Sequence, residues 1–243
     1  MSFDCGDHIA ARRFFLVALQ LAAEAGDVQQ RVHTLTSAAR QAVWLDRTDL
    51  GLDLMRLAHG DDRRLSPVAR AVLTTIEARA FGRKADVAGV ERAVGQADDL
   101  FAQRAAEPDD KAWAWYYGDA QMAGDGATPL FDAAMRSGDA RIATMAGQRL
   151  QAAYALFPAD EARSRSFCLL GVAGLTLRFD DPHHGLALAE QALDEAASLR
   201  SMRIADRVRM LAKTAAPLER DAAFRPRVRE LRRAAQRVAQ AVA

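Results

Sequence analysis

Apolar residues recur at spacings of three and four along almost the whole chain, and the strict alternation that marks a half-buried strand does not occur. The pattern predicts an all-α protein. In the first clear segment, HIAARRFFLVALQLA, the residues Ala11, Phe15 and Ala18 share one helical face as a small, a large and a small side chain. The same offsets return as Gly51, Met55 and Ala58, as Val90, Val94 and Ala97, and as Gly185, Ala189 and Ala192, with a less regular copy at Ala146, Leu150 and Ala153. Small residues at such positions let two antiparallel helices approach closely, while the larger one between them fills the gap to the next pair.

Each copy follows a short turn: Gly6-Asp7-His8, Asp46-Arg47-Thr48, Ala85-Asp86-Val87 and Asp180-Asp181-Pro182. A partner helix precedes each turn but the first: Gln29 to Leu45, Pro67 to Gly82 (with Ser66 as N-cap and Pro67 in the first turn) and Ser164 to Arg178. Only Met1 to Asp4 precede the first, so an open apolar face is expected on the leading helix, suited to self-association. Glu107 to Asp110 reads as a loop, Gly124-Asp125-Gly126 with Pro129 as a break or kink, and the segment from Ile204, divided near Pro217 and Pro226, as a closing hairpin. The expected fold is a right-handed α-solenoid of antiparallel helix pairs in one domain, 1–243. Its repeats run roughly over 1–25, 28–60, 66–106, 111–158 and 161–200, with a C-terminal cap at 203–243.

The small-large-small pattern resembles the tetratricopeptide repeat, although a spacing of 39 to 40 residues is longer than the roughly 34 of that consensus. A more specific likeness runs through four stretches: Asp119 to Gly124 with Leu130-Phe131-Asp132-Ala133, Ala162 to Ser166, Gln191 to Ala197, and Leu199 to Arg203. In order, these resemble the C-terminal region of actinobacterial XRE-type regulators, in which a helix-turn-helix domain precedes a tetratricopeptide-like array. The resemblance implies a sensor or dimerisation module of a transcriptional regulator. No helix-turn-helix is present in this sequence, so DNA would be reached only through an N-terminal domain absent here.

Charge changes the picture at one end only. The chain carries +1 overall, but from Arg200 onward twelve basic residues face four acids, which puts +8 on that tail and −7 on the rest. The total lacks the basic excess with which a free-standing nucleic-acid binder displaces counterions. The tail itself reads as a terminal amphipathic helix, with Val228, Leu231, Ala235 and Val238 on one stripe and solvated arginines around it. No apolar run reaches the roughly 18 residues of a membrane span and no leader is evident, so a cytoplasmic protein without membrane contact is expected. Cys5 and Cys168 are single cysteines far apart, which suggests neither disulfide nor zinc.

Phosphate-loop, HExxH and GxSxG signatures are all missing, so no enzyme, cofactor or metal is expected. The pair His183-His184 beside Asp180 and Asp181 lacks further ligands at useful spacing and reads as a turn. Arg40 and Arg79 each follow the small mid-helix residue of the first helix in a pair, on the face that lines the concave side of such an array. His33, Thr36 and Trp44 share that face in one helix, Thr75 and Arg83 in the next. Stacked guanidinium groups there suit a carboxylate or phosphate, though pairing with acids such as Glu77 would equally account for them. Trp113, Trp115 and Tyr116, followed by Tyr117, form an aromatic group suited to an interface or, if Phe101, Phe131 and Tyr154 fold nearby, to a core. The expected function is a regulatory module that takes a peptide, small molecule or protein in its groove. The alternative is a stand-alone scaffold for protein–protein interaction.

Overall fold

The computed structural model describes residues 6–104, 116–196 and 199–241. Among these there are eleven α-helices and no strand. They are α1 (His8–Ala25), α2 (Val28–Trp44), α3 (Thr48–His59), α4 (Pro67–Arg83), α5 (Val87–Ala102) and α6 (Asp119–Ser137), then α7 (Ala140–Leu156), α8 (Ala162–Phe179), α9 (Pro182–Ala196), α10 (Met202–Ala215) and α11 (Arg225–Gln240). Local chemistry starts many of them. A side-chain oxygen accepts from an otherwise orphaned backbone N–H at the N-caps Asp7, Asp27, Ser66, Asp86 and Asp139. Pro67 occupies the first turn of α4, where its missing N–H costs nothing.

Each helix packs against its neighbours in the chain, and the even-numbered helices also pack successively on one another, α2 on α4, α4 on α6, α6 on α8 and α8 on α10. Three apolar clusters follow the same order, the first centred on α2 to α4, the second on α5 to α8, the third on α8 to α11. Helices α4 and α8 are enclosed on nearly every side, and their middle stretches, Ala71 to Ile76 and Leu169 to Leu175, are correspondingly apolar or small all round. The small-large-small faces turn inward: Gly51, Met55 and Ala58, Val90, Val94 and Ala97, Ala146, Leu150 and Ala153, and Gly185, Ala189 and Ala192 are all buried. In α1 the pattern is only half covered, since Ala11 is buried while Phe15 and Ala18 are partly exposed.

Two expectations are corrected. Gly124-Asp125-Gly126 and Pro129 do not break the chain: α6 runs through all four. The Thr128 hydroxyl donates to the Gly124 carbonyl at 3.0 Å, and the bare Gly82 of α4 lies against the Pro129 backbone, where a Cβ would come within 2.5 Å of its oxygen. Packing from α4 and α7 thus overrides weak local helix propensity. The aromatic residues do not gather in one place. Tyr117 meets Phe101 edge-on at 5.9 Å in the first cluster, Phe131 lies in the second, and Tyr154 bonds Glu195 at 2.7 Å; Trp113 and Trp115 lie outside the described residues.

Candidate functional site

The even-numbered helices surround a cavity of about 440 Å³. Arg40 enters from α2, Arg79 from α4, Asp125 and Thr128 from α6, Phe167 and Cys168 from α8, Ser201, Arg203 and Ile204 from the start of α10, with Tyr116 and Tyr117 at the entry to α6. The start of α8 contributes Glu161, Arg163 and Ser164 as well.

Asp125 organises one wall. It accepts from Arg79 Nη2 at 2.5 Å and from Arg40 Nη2 at 3.3 Å, a carboxylate shared by two guanidinium groups from different helices. Burial pushes the Asp125 pKa up, but the positive charges of Arg40, Arg79 and Arg203 outweigh it and hold the carboxyl below its ordinary value. For Arg79, burial wins over Asp125 and the pKa falls; for Arg40, Asp125 with Tyr116 and Tyr117 overcomes burial and the pKa rises. Behind this wall Arg83 pairs with Asp132 at 3.3 Å and donates to the Trp44 carbonyl at 3.5 Å.

Of the basic tail's arginines, Arg203 reaches the cavity and Arg207 is buried, both on α10 and ahead of the terminal amphipathic helix α11. Arg203 lies over the rings of Trp44 at 5.3 Å and Phe167 at 5.6 Å. Arg207 is buried between Phe131 at 4.2 Å and Phe167 at 4.4 Å, and burial lowers its pKa to about 10. The remaining tail arginines do lie outside, as in the pairing of Arg227 with Glu190 at 2.8 Å. Burial likewise pushes the Cys168 thiol up to about 12, which makes it a poor nucleophile.

Of the residues singled out from sequence, Arg40, Arg79 and Tyr116 line the cavity; His33, Thr36, Trp44, Thr75 and Arg83 do not. Thr36 and Thr75 are buried between helices and donate to the carbonyls of Val32 at 2.8 Å and Val72 at 2.7 Å. His33 is half-buried on α2, its pKa lowered by burial and by Arg40. The Trp44 ring lies 6.5 Å from that of Phe167 on α8. Glu77 faces His59 at 3.6 Å and leaves Arg79 to Asp125. Sequence reasoning missed Asp125, Arg163, Phe167, Ser201 and Arg203. Only Ser201, a good N-cap residue ahead of an amphipathic helix, carried a local signal.

Among the described residues, no group of three His, Cys, Asp or Glu side chains is placed to hold a metal ion, and His183 instead stacks on Phe224 at 4.4 Å. No described helix is long and apolar enough to cross a membrane. Comparison with family models, curated proteins and solved structures gives no match in any of the three.

Proposed function

We propose that this chain is a regulatory ligand-binding module, a right-handed α-solenoid of tetratricopeptide-like helix pairs similar to the sensor and dimerisation part of XRE-type regulators. The observation that carries this reading is the cavity itself, because α2, α4, α6, α8 and α10 all supply side chains to it. A molecule bound there touches five successive helix pairs at once. Its binding energy depends on their relative placement, so binding shifts that placement and transmits to whatever is attached. The successive packing of the even-numbered helices supports the solenoid, and α10 with α11 serves as its closing hairpin.

The protein is a sensor, without catalysis and without a resident cofactor or metal. Its effector is a peptide or small molecule, it works in the cytoplasm, and it reaches DNA only through a domain outside this sequence. Melting curves against a metabolite collection test the reading. At least one diffusible compound raises Tm, as mass action requires of a ligand that binds only the folded state. A Tm that responds to no small compound and only to a protein would replace the sensor with a scaffold. One observation favours that second reading: α1 exposes Ile9, Phe14, Leu16, Val17 and Leu21.

A further inference from the structure

Each even-numbered helix packs on the next, so α2 and α10 stand four steps apart in that row. At about 8–10 Å per step, a straight row would hold them roughly 30 to 40 Å from each other. Their side chains nevertheless meet. Trp44, the last residue of α2, has its ring 6.5 Å from that of Phe167 near the start of α8. The Arg203 guanidinium, at the start of α10, lies 5.3 Å from the Trp44 ring and 5.6 Å from the Phe167 ring. Arg83 of α4 reaches the same Trp44 ring at 5.9 Å. At the leading turn, Gly6 lies against Met202, where a Cβ would come within 3.1 Å of the Met202 Cγ. The row therefore bends round until its first helix meets its last two. Among the described residues, however, α2 does not pack along α8 or α10, so side chains at the helix ends make the join.

We infer that Trp44, Phe167 and Arg203 form a clasp between the two ends of the helix row, and that the clasp opens and closes while the helices themselves stay folded. All three side chains are half-buried. Trp44 belongs to none of the three apolar clusters, and Phe167 lies only at the edge of the third. Parting the join therefore costs the contacts of a planar cation with two aromatic rings and leaves each core whole, which is what a local opening far below the cost of unfolding requires. The inference goes beyond the effector reading and needs no ligand, but it gives that reading a two-state element. Phe167 and Arg203 also line the cavity, so opening takes both from its wall, and an occupant that touches them favours one state.

Cys168 reports the opening, because it follows Phe167 in α8, lines the cavity and is 3% exposed. In a full-length Cys5→Ser chain it is the one remaining thiol. Its reaction with dithiobis(nitrobenzoate) at low reagent concentration tracks the population of the open form. The labelling rate should rise with urea much less steeply than global unfolding does, as an opening that exposes little surface requires. In the same background, Trp44→Ala and Arg203→Ala should each speed labelling about tenfold. The double variant should fall well short of the hundredfold product, since the two residues hold one contact. Arg203 is only half-buried, so Arg203→Ala reads the clasp even if Trp44→Ala fails to fold. Ser66→Ala, which weakens α4 at the end away from Arg83, should leave the labelling rate unchanged. Acceleration by Ser66→Ala equal to that by Arg203→Ala would mean that Cys168 reacts only through global unfolding, and would overturn the inference. So would a labelling rate that neither clasp variant changes. The effector reading survives either result, because melting against the metabolite collection tests it separately.

Discussion

Asp125 is where single-residue energetics are most exposed. It is shared between the buried Arg79 and the half-buried Arg40, so its loss leaves both without their nearest counter-charge. Breaking a buried ion pair from one side costs about 3–5 kcal/mol, and Asp125→Ala is expected to lose that much in urea unfolding. The pH dependence has a definite sign. The folded-state pKa of Asp125 is depressed, chiefly by Arg40 and Arg79 acting against burial, so the unfolded chain takes up this proton first as pH falls. The stabilisation is complete above the unfolded value of about 3.9 and disappears as pH drops through the lower folded value. The stability difference between wild type and Asp125→Asn should therefore shrink below about pH 4, and a difference independent of pH would contradict the assignment. Arg40 and Arg79 were legible in the sequence because helical offset alone puts them on the inner face. Asp125 was not, because Gly-Asp-Gly reads locally as a turn, and only the contacts of its neighbours with α4 and α7 keep it helical.

At the scale of elements, the helix pairs were largely legible. The buried faces of α3, α5, α7 and α9 follow the small-large-small spacing, and the structure places their hairpin partners within a residue or two of the spans expected for α2, α4 and α8. What spacing does not reveal is which small residues are obligatory. A Cβ on Gly82 would lie 2.5 Å from the Pro129 oxygen, a backbone atom that cannot rotate away, whereas a Cβ on Gly95 meets nothing within 4 Å. Gly82→Ala should force α4 and α6 apart and cost about 1–3 kcal/mol. Gly95→Ala, on the exposed side of α5, should gain about 0.4–1 kcal/mol by restricting the unfolded chain. Thermal unfolding of the two variants checks both signs. The helix starts offer a parallel contrast: Ser66→Ala removes a hydrogen bond to Ala69 N at 3.2 Å and is expected to cost about 1 kcal/mol, while Ser201→Ala removes none. Equal losses at the two serines would mean that Ser201 caps α10 after all. The meeting of α8 and α10 starts around one cavity could not be read in advance, since it depends on how far each helix pair is rotated from the last.

On the scale of the whole molecule, the leading helix is the least finished part. Ile9, Phe14, Leu16, Val17 and Leu21 are 55–68% exposed, leaving on the order of 500 Å² of apolar surface, near the upper end for a monomer. A helical step of 100° puts Phe14, Val17 and Leu21 on one strip and Ile9 with Leu16 on another, with Arg13, Gln20 and Glu24 between them. In a two-fold antiparallel pairing of two α1 helices, the apolar strips of one copy meet those of the other and Arg13 faces Glu24 across the axis. Such a contact removes about 1,000 Å² in total, the lower bound for a specific interface, so the dimer is expected to be weak and to depend on concentration. Sedimentation equilibrium over the micromolar range should show a monomer–dimer exchange. Phe14→Glu with Val17→Glu should abolish it, and because both side chains already face solvent the variant should keep the helicity and Tm of the monomer. A chain that stays monomeric throughout that range, or a variant that still dimerises, would mean that the α1 face serves a different partner.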